Sequence, residues 1–199
     1  MFAACRQQKD CDALARDEGL ETVLIDYSKP DTIATGLAFV LVQTGGTLDA
    51  LFNNGAYAMA CAAEDCPTDF LRQIFEVNFF GWHDLTVRCV RVMRNQGSHG
   101  RIVQCSSVLG GVVFPMRMAY SCTKFALEAH CDALRLELAD TDIKVVSLNV
   151  GPIRTQARTS GIPCFLFQLN FSLTRASLEH QFQWVLGQRA QTAQTAQTA

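Results

Sequence analysis

Short apolar runs alternate with longer segments of helical apolar spacing, and this alternation constrains the fold more than any other feature. Strands are predicted at Met1–Ala4, Thr22–Ile25, Leu48–Phe52, Ile102–Cys105 and Ile143–Val150. Helices are predicted at Gln7–Glu18, Asp31–Gln43, Thr68–Arg94 and from Tyr120 to Leu138. Consecutive parallel strands need helical crossovers, so the pattern predicts an α/β fold whose doubly wound parallel sheet is covered on both faces.

Composition suits one compact domain. The chain has 199 residues, of which 49% are hydrophobic and 18% are charged, so we expect a single domain over residues 1–190. Three Gln-Thr-Ala repeats at 191–199 offer no apolar face and are expected to be disordered. A net charge of -2 argues against nucleic acid and anionic membrane as partners. No apolar run reaches the length of about 18 residues that a membrane span needs.

The cysteines indicate a reducing compartment, and neither the cysteines nor the histidines indicate a structural metal site. Nine cysteines are an odd number and contain no Cys-x-x-Cys pair, so we expect free, buried thiols and a cytoplasmic location. His83, His99 and His130 lack a metal-ligand spacing, and no metal site is expected.

Three polar residues fall where the fourth predicted strand gives way to a helix. Tyr120 and Lys124 are four residues apart and share one helix face. A nearby ammonium favours the phenolate, so Lys124 is expected to lower the pKa of Tyr120 and to fit it for proton transfer to or from a carbonyl oxygen. Ser107 follows the strand and can hydrogen-bond the same oxygen. A Tyr-x-x-x-Lys spacing alone also occurs by chance.

Further motifs resemble the short-chain dehydrogenase/reductase family. Ser107 lies thirteen residues before Tyr120, and Tyr120-Ser-Cys-Thr-Lys124 matches the family's active-site motif. Asn53-Asn54-Gly55-Ala56 resembles its Asn-Asn-Ala-Gly with the last two residues exchanged, Asn78 resembles its helix asparagine, and Gly151–Thr155 resembles its post-strand segment. The resemblance covers residues 1–158 and is nearest to the hydroxysteroid/retinol-dehydrogenase-like branch.

The resemblance implies an NADP(H)-dependent oxidoreductase that interconverts a secondary alcohol and a ketone or aldehyde, with a small lipophilic substrate. It implies catalytic roles for Ser107, Tyr120, Lys124 and Asn78. Asn78 would hold a water that links Lys124 to solvent, and a structural hydrogen bond is the alternative. A catalytically silent truncated remnant, or a non-enzymatic interaction protein, is the alternative function.

The cofactor residues implied by the resemblance are Arg6, Asp26, Asn53, Gly55, Ala56, Tyr120, Lys124, Gly151, Ile153 and Thr155. Arg6 follows the first predicted strand, where an acidic residue would favour NAD(H), and an arginine can pair with a 2′-phosphate. NADP(H) is therefore expected over NAD(H), with a surface role for Arg6 as the alternative. Asp26 is expected to contact adenine, unless it serves an N-cap or turn.

The family's first strand and Gly-rich phosphate turn have no counterpart in this sequence. Residues 1–6 resemble the family's second strand, and Gly36, Gly45 and Gly46 lie around a helix rather than after an opening strand. We therefore expect an N-terminally truncated Rossmann-type domain whose predicted first and third strands lack their common neighbour. The helices from Thr68 and Tyr120 also carry more apolar surface than one sheet face covers, so a homodimer or tetramer is expected.

Overall fold

A computed structural model of the protein describes residues 1–151, and it confirms the α/β alternation. The strands are β1 Phe2–Cys5, β2 Glu21–Leu24, β3 Ala50–Asn53, β4 His99–Cys105 and β5 Asp142–Leu148. The helices are α1 Gln8–Glu18, α2 Pro30–Gln43, α3 Thr68–Phe75, α4 Gly81–Asn95 and α5 Met118–Glu137. All strand pairs are parallel, as the helical crossovers between them require. The bounds differ from the prediction by one or two residues at most ends.

The strands form two sheets rather than one. β1 pairs with β2, and β3, β4 and β5 form a second sheet in that order. In the strand order 3-2-1-4-5-6 of a doubly wound fold, one further strand lies between the positions that β1 and β3 occupy. Among the described residues nothing pairs with those two edges, which lie on either side of the position of that strand.

Helix packing joins the two sheets in the absence of that strand. α2 lies against α4, and together they bury an apolar cluster of Val23, Ile25, Ile33, Leu37, Val40, Leu85 and Cys89. A second cluster lies between α4, α5 and the larger sheet and contains Trp82, Met93, Ile102, Leu127, Cys131, Leu134, Leu138, Ile143 and Val145. Coverage of the larger sheet is incomplete within the described residues, because Phe52, Val146 and Leu148 stay exposed.

The predicted helix Thr68–Arg94 is interrupted. A π-helical turn at Glu76–Phe80 separates α3 from α4. Such a turn inserts one residue into the helix, and an apolar period of 3.6 does not reveal it. Asn78 lies in this turn, and Gly81 follows it at the point where α4 meets the backbone of Tyr27.

β4 begins earlier than the apolar run suggests. The strand was predicted from Ile102, but only Gly97 and Ser98 before it have the positive φ angles of a turn, and His99 and Gly100 are already in the strand. Pairing with Asp142 and Ile143 of β5 extends the strand to His99. Backbone pairing thus continues past the last apolar residue.

Eight cysteines lie among the described residues, and only Cys11, Cys61, Cys89 and Cys131 of them are buried. The expectation of buried thiols is thus wrong for Cys5, Cys66 and Cys105, which are partly exposed, and for Cys122, which is exposed. Among residues 1–151, no helix combines the length and the apolar character that crossing a membrane would take.

Candidate active site

Ser107, Tyr120 and Lys124 meet at the carboxyl end of β4. Lys124 is 1% exposed, and its Nζ donates to the carbonyl oxygen of Cys105, the last residue of β4, at 2.8 Å. Ser107 begins a short 3-10 turn, where its Oγ accepts from the amide of Leu109 at 3.2 Å. Crevices at the carboxyl ends of parallel strands are where α/β folds bind ligands.

The pKa of Tyr120 shifts in the direction opposite to the prediction. Burial raises the pKa of the phenol, and a hydrogen bond with Ser107 opposes that rise. The prediction that Lys124 lowers the pKa of Tyr120 is wrong for this structure. The spacing in the sequence showed that an ammonium is near, but it could not show that the phenol loses water when the chain folds. The Lys124 Nζ lies 5.6 Å from the centroid of the Tyr120 ring.

Lys124 itself is strongly affected by burial. Desolvation lowers the pKa of its ammonium to about 8, and Cys105, Glu128 and Cys131 act in the opposite direction. The ammonium is therefore the dominant form at neutral pH, and it loses its proton a little above that.

Trp82, a residue that the sequence analysis did not single out, contacts both Lys124 and the loop after β3. The Lys124 Nζ lies 4.4 Å from the centroid of the Trp82 ring. The indole Nε1 donates to the carbonyl oxygen of Gly55 at 2.8 Å. The one signal in the sequence is that a tryptophan on a buried helix face needs a partner for its N–H.

The side chain of Asn78 makes the structural hydrogen bonds that were the alternative to a relay. Its Nδ2 donates to the carbonyl oxygen of Tyr57 at 2.8 Å and to Oγ1 of Thr123 at 3.3 Å. Its Oδ1 accepts from the amide of Tyr57 at 3.1 Å. One lone pair of Oδ1 remains for another donor.

Asn53 lies at the end of β3, but its side chain is fully buried in a polar network. Oδ1 accepts from the hydroxyl of Tyr27 at 2.9 Å, and Nδ2 donates to Thr86 and Gln104 at 3.0 Å each. The Tyr27 bond links the segment after β2 to β3, so the network connects the two sheets. A dinucleotide can meet only the backbone of Asn53 without breaking it.

Asn53→Ala is expected to lower the free energy of unfolding by about 3 kcal/mol, because it leaves the Tyr27 hydroxyl and the carboxamide oxygen of Gln104 without a partner. Asn54→Ala, at the neighbouring exposed position, is the matched control and is expected to change stability by less than about 0.5 kcal/mol. Urea unfolding followed by circular dichroism measures both. Equal losses at the two positions would contradict the structural role of Asn53.

The residues expected at the adenosine end occupy neighbouring strand ends. Arg6 is exposed directly after β1. Asp26 follows β2, and its carboxylate accepts from the amide and hydroxyl of Ser28 at 3.0 and 2.7 Å and pairs with Lys29 at 3.6 Å. The turn role that was the alternative for Asp26 is therefore present, which leaves its contact with adenine as a proposal.

The other expected cofactor residues divide between the loop after β3 and the end of the described chain. Gly55 is exposed, and a Cβ there would lie 3.0 Å from the Tyr27 ring, so the loop passes close over that ring. Ala56 is half-buried beside the second apolar cluster. Gly151 is exposed at the last described position, and Ile153 and Thr155 lie outside the described residues.

A second polar group, formed by Glu128, Ser147 and Ser106, lies next to the site and was not predicted from the sequence. Glu128 accepts from the hydroxyl of Ser147 at 2.8 Å, while its other carboxylate oxygen and the Ser106 hydroxyl are buried without a protein partner. A Cβ on Gly110 would lie 3.0 Å from Cγ of Glu128 and from Oγ of Ser106, so both side chains pack closely against this glycine. Glu128 stands four residues after Lys124, but no motif distinguished it from a solvated helix residue.

The parallel α/β fold with the Ser-Tyr-Lys cluster at the carboxyl end of β4 defines a Rossmann-type domain. The chain belongs to the short-chain dehydrogenase family, whose model matches residues 3–162. It is 38% identical over 156 residues to the uncharacterized oxidoreductase YbbO of Escherichia coli, covering 78% of this chain and 57% of that protein. It is 33% identical over 165 residues to the rat 17-beta-hydroxysteroid dehydrogenase type 6, covering 78% and 50%.

A solved structure shares the fold. The NAD+-bound xylitol dehydrogenase superposes with a TM-score of 0.69 at 25% identity, over 75% of this chain and 59% of that one. The hydroxysteroid-like branch expected from the motifs is confirmed by the rat relative. The chain spans about half the length of the curated relatives it matches.

Proposed function

We propose that the protein is an NADP(H)-dependent oxidoreductase that interconverts a secondary alcohol and a ketone or aldehyde. The observation that carries this proposal is the meeting of Ser107, Tyr120 and a buried Lys124 ammonium at the carboxyl end of β4. Membership of an oxidoreductase family supports the reaction class.

The residues present suit the nicotinamide end of a dinucleotide. Lys124 uses one of its three donors on Cys105, which leaves two for ribose hydroxyls. The backbone at Asn53, Gly55 and Ala56 would border the adenosine side, with Arg6 and Asp26 beyond it. The described residues offer no Gly-rich turn for the pyrophosphate, so the fit concerns the two ends of the cofactor.

In this proposal the bound dinucleotide supplies the hydride for reduction. Tyr120 donates its phenolic proton to the carbonyl oxygen, and the Ser107 hydroxyl donates a hydrogen bond that holds this oxygen in place. Burial, which raises the pKa of Tyr120, keeps the phenol protonated at neutral pH, the form that reduction requires. The Lys124 ammonium stabilises the phenolate left behind.

Tyr120 must then recover its proton from solvent. We propose that a water near Asn78 passes it toward Lys124. Because both amide hydrogens of Asn78 are already used, such a water would donate to the remaining lone pair of Oδ1. Asn78 would thereby combine its structural hydrogen bonds with a place in the relay.

The preference for NADP(H) rests on Arg6. Arg6→Ala is expected to weaken NADPH binding about 30-fold and NADH binding little, because a charge-assisted bond to the 2′-phosphate contributes about 2 kcal/mol. Fluorescence titration with both cofactors measures the ratio. Arg16→Ala, which removes an exposed arginine from the last turn of α1, is the matched control and should leave the ratio unchanged. An unchanged ratio in Arg6→Ala would leave Arg6 a surface residue.

The surroundings of the site support three further proposals. A small lipophilic alcohol or carbonyl substrate suits the exposed Val113 and Phe114 near the site. A homodimer or tetramer suits the exposed Phe80 and Phe125 on the turn before α4 and on α5. A cytoplasmic location suits the free thiols of Cys5, Cys66 and Cys122, which are partly or fully exposed.

The proposed reaction is tested with the full-length protein, NADPH and a panel of ketones that includes a steroid ketone. Loss of NADPH absorbance that depends on the ketone is the expected result. Binding of NADPH without oxidation by any ketone or aldehyde of the panel would count against the reaction and favour a silent binding protein.

A further inference from the structure

Trp82 is the largest fully buried side chain of the described residues, and packing alone does not account for its contacts. Its ring face meets the Lys124 ammonium, and its N–H binds the loop that follows β3. Its neighbour Gly81 sits so close to the Tyr27 backbone that α4 has little freedom to move, which fixes where the indole lies.

Lys124 needs such a neighbour. The ammonium is 1% exposed, and its described hydrogen bond is to a neutral carbonyl oxygen. Within residues 1–151, no carboxylate forms an ion pair with it. A buried cation without a carboxylate at ion-pair distance is costly even though Glu128 lies on the same helix, and an aromatic face within about 6 Å offsets part of that cost. The Trp82 ring lies at 4.4 Å, closer than the Tyr120 ring at 5.6 Å.

We propose that Trp82 is a positioning residue that holds the Lys124 ammonium against its indole face and ties it, through Gly55, to the loop at the cofactor side of the cleft. The effect of Trp82 on catalysis rests on the proposed function. The contacts themselves are independent of activity, which allows a test that needs no substrate.

The expected pH dependence follows from the groups that face Lys124. These are Cys105 on β4 and Tyr120, Glu128 and Cys131 on α5. With the pKa at about 8, the ammonium is present below that pH and is lost above it. Removing the indole removes a stabilising contact of the charged form, so the pKa falls further and the ammonium is lost at a lower pH.

Indole fluorescence tests the contact directly. Trp184→Phe leaves Trp82 as the one tryptophan, because the chain has two. In this background we expect a fluorescence step near the Lys124 pKa of about 8. The step should disappear in Lys124→Met, and also in Lys124→Arg, which keeps the charge but does not titrate in this range. A step that persists in both variants, or no step at all, overturns the inference.

Activity then separates positioning from packing. The reductase rate is expected to fall at alkaline pH as Lys124 loses its proton. Trp82→Leu removes the ring and the hydrogen bond to Gly55, so the midpoint of this alkaline limb should move to a lower pH by about one unit. Trp82→Phe keeps an aromatic face and should move it by less. Leu85→Ala removes a buried side chain one turn along the same helix, in the other apolar cluster, and should leave the alkaline limb where it is. An unmoved limb in Trp82→Leu overturns the inference.

The two failures can be told apart. A fluorescence step that depends on Lys124, in a protein that reduces none of the ketones, would keep the inference and overturn the proposed reaction. Reductase activity without that step would keep the reaction and overturn the role of Trp82.

Discussion

Tyr120→Phe is expected to slow ketone reduction by about a thousandfold, the middle of the range of about 10²- to 10⁴-fold that general acid catalysis contributes. The substitution removes the one proton that the phenol can transfer and little contact area. NADPH should therefore bind with nearly the same affinity. Measuring kcat under saturating substrate, and NADPH affinity by calorimetric titration, separates the two effects.

Tyr57→Phe is the matched control for this experiment. Tyr57 is partly exposed, and burial raises the pKa of its phenol, as it does for Tyr120. Its contacts with Asn78 use the backbone and survive the substitution. A rate in Tyr120→Phe within about tenfold of wild type would show that another group supplies the proton, since general acids contribute more than that.

The fold was largely predictable because strands and helices leave different apolar periods. β5 was predicted within one or two residues of its observed bounds, and the open edges of β1 and β3 followed from recognising which strand Phe2–Cys5 resembles. The π-helical turn at Glu76–Phe80 was missed, because the apolar spacing through Phe75 and Phe79 is nearly the same with one inserted residue.

The site was predictable in position but not in electrostatics. Spacing placed Tyr120 and Lys124 on one helix face, but it could not show that Lys124 is buried and Tyr120 partly so, and this loss of water decides the pKa direction of each. Asn53 belongs to a family motif, but its side chain forms the hydrogen bond with Tyr27 that connects the two sheets. Trp82 carries no motif, and its contact with Lys124 exists only because α4 and α5 pack together.

Gly81→Ala is expected to lower the free energy of unfolding by about 3 kcal/mol or more, the upper range of overpacking. The sign is opposite to intrinsic helix propensity, by which alanine is favoured over glycine by about 1 kcal/mol. A Cβ at this position would lie 2.3 Å from the carbonyl oxygen and 2.7 Å from the Cα of Tyr27. Both are backbone atoms, so α4 or the segment after β2 would have to move, and with it the polar network at Asn53.

Gly36→Ala in α2 separates this backbone overlap from the general effect of a methyl group on a packed helix. There the Cβ would lie 2.6 Å from a side-chain atom of Ile25 and 3.1 Å from the Leu24 carbonyl oxygen. The Ile25 side chain can change rotamer, so the loss should be no more than about half of that at Gly81. Thermal and urea unfolding of the two variants would show the difference. Equal losses would mean that α4 can shift away from Tyr27. The contacts of Trp82 itself, rather than a fixed position of α4, would then hold the indole at Lys124.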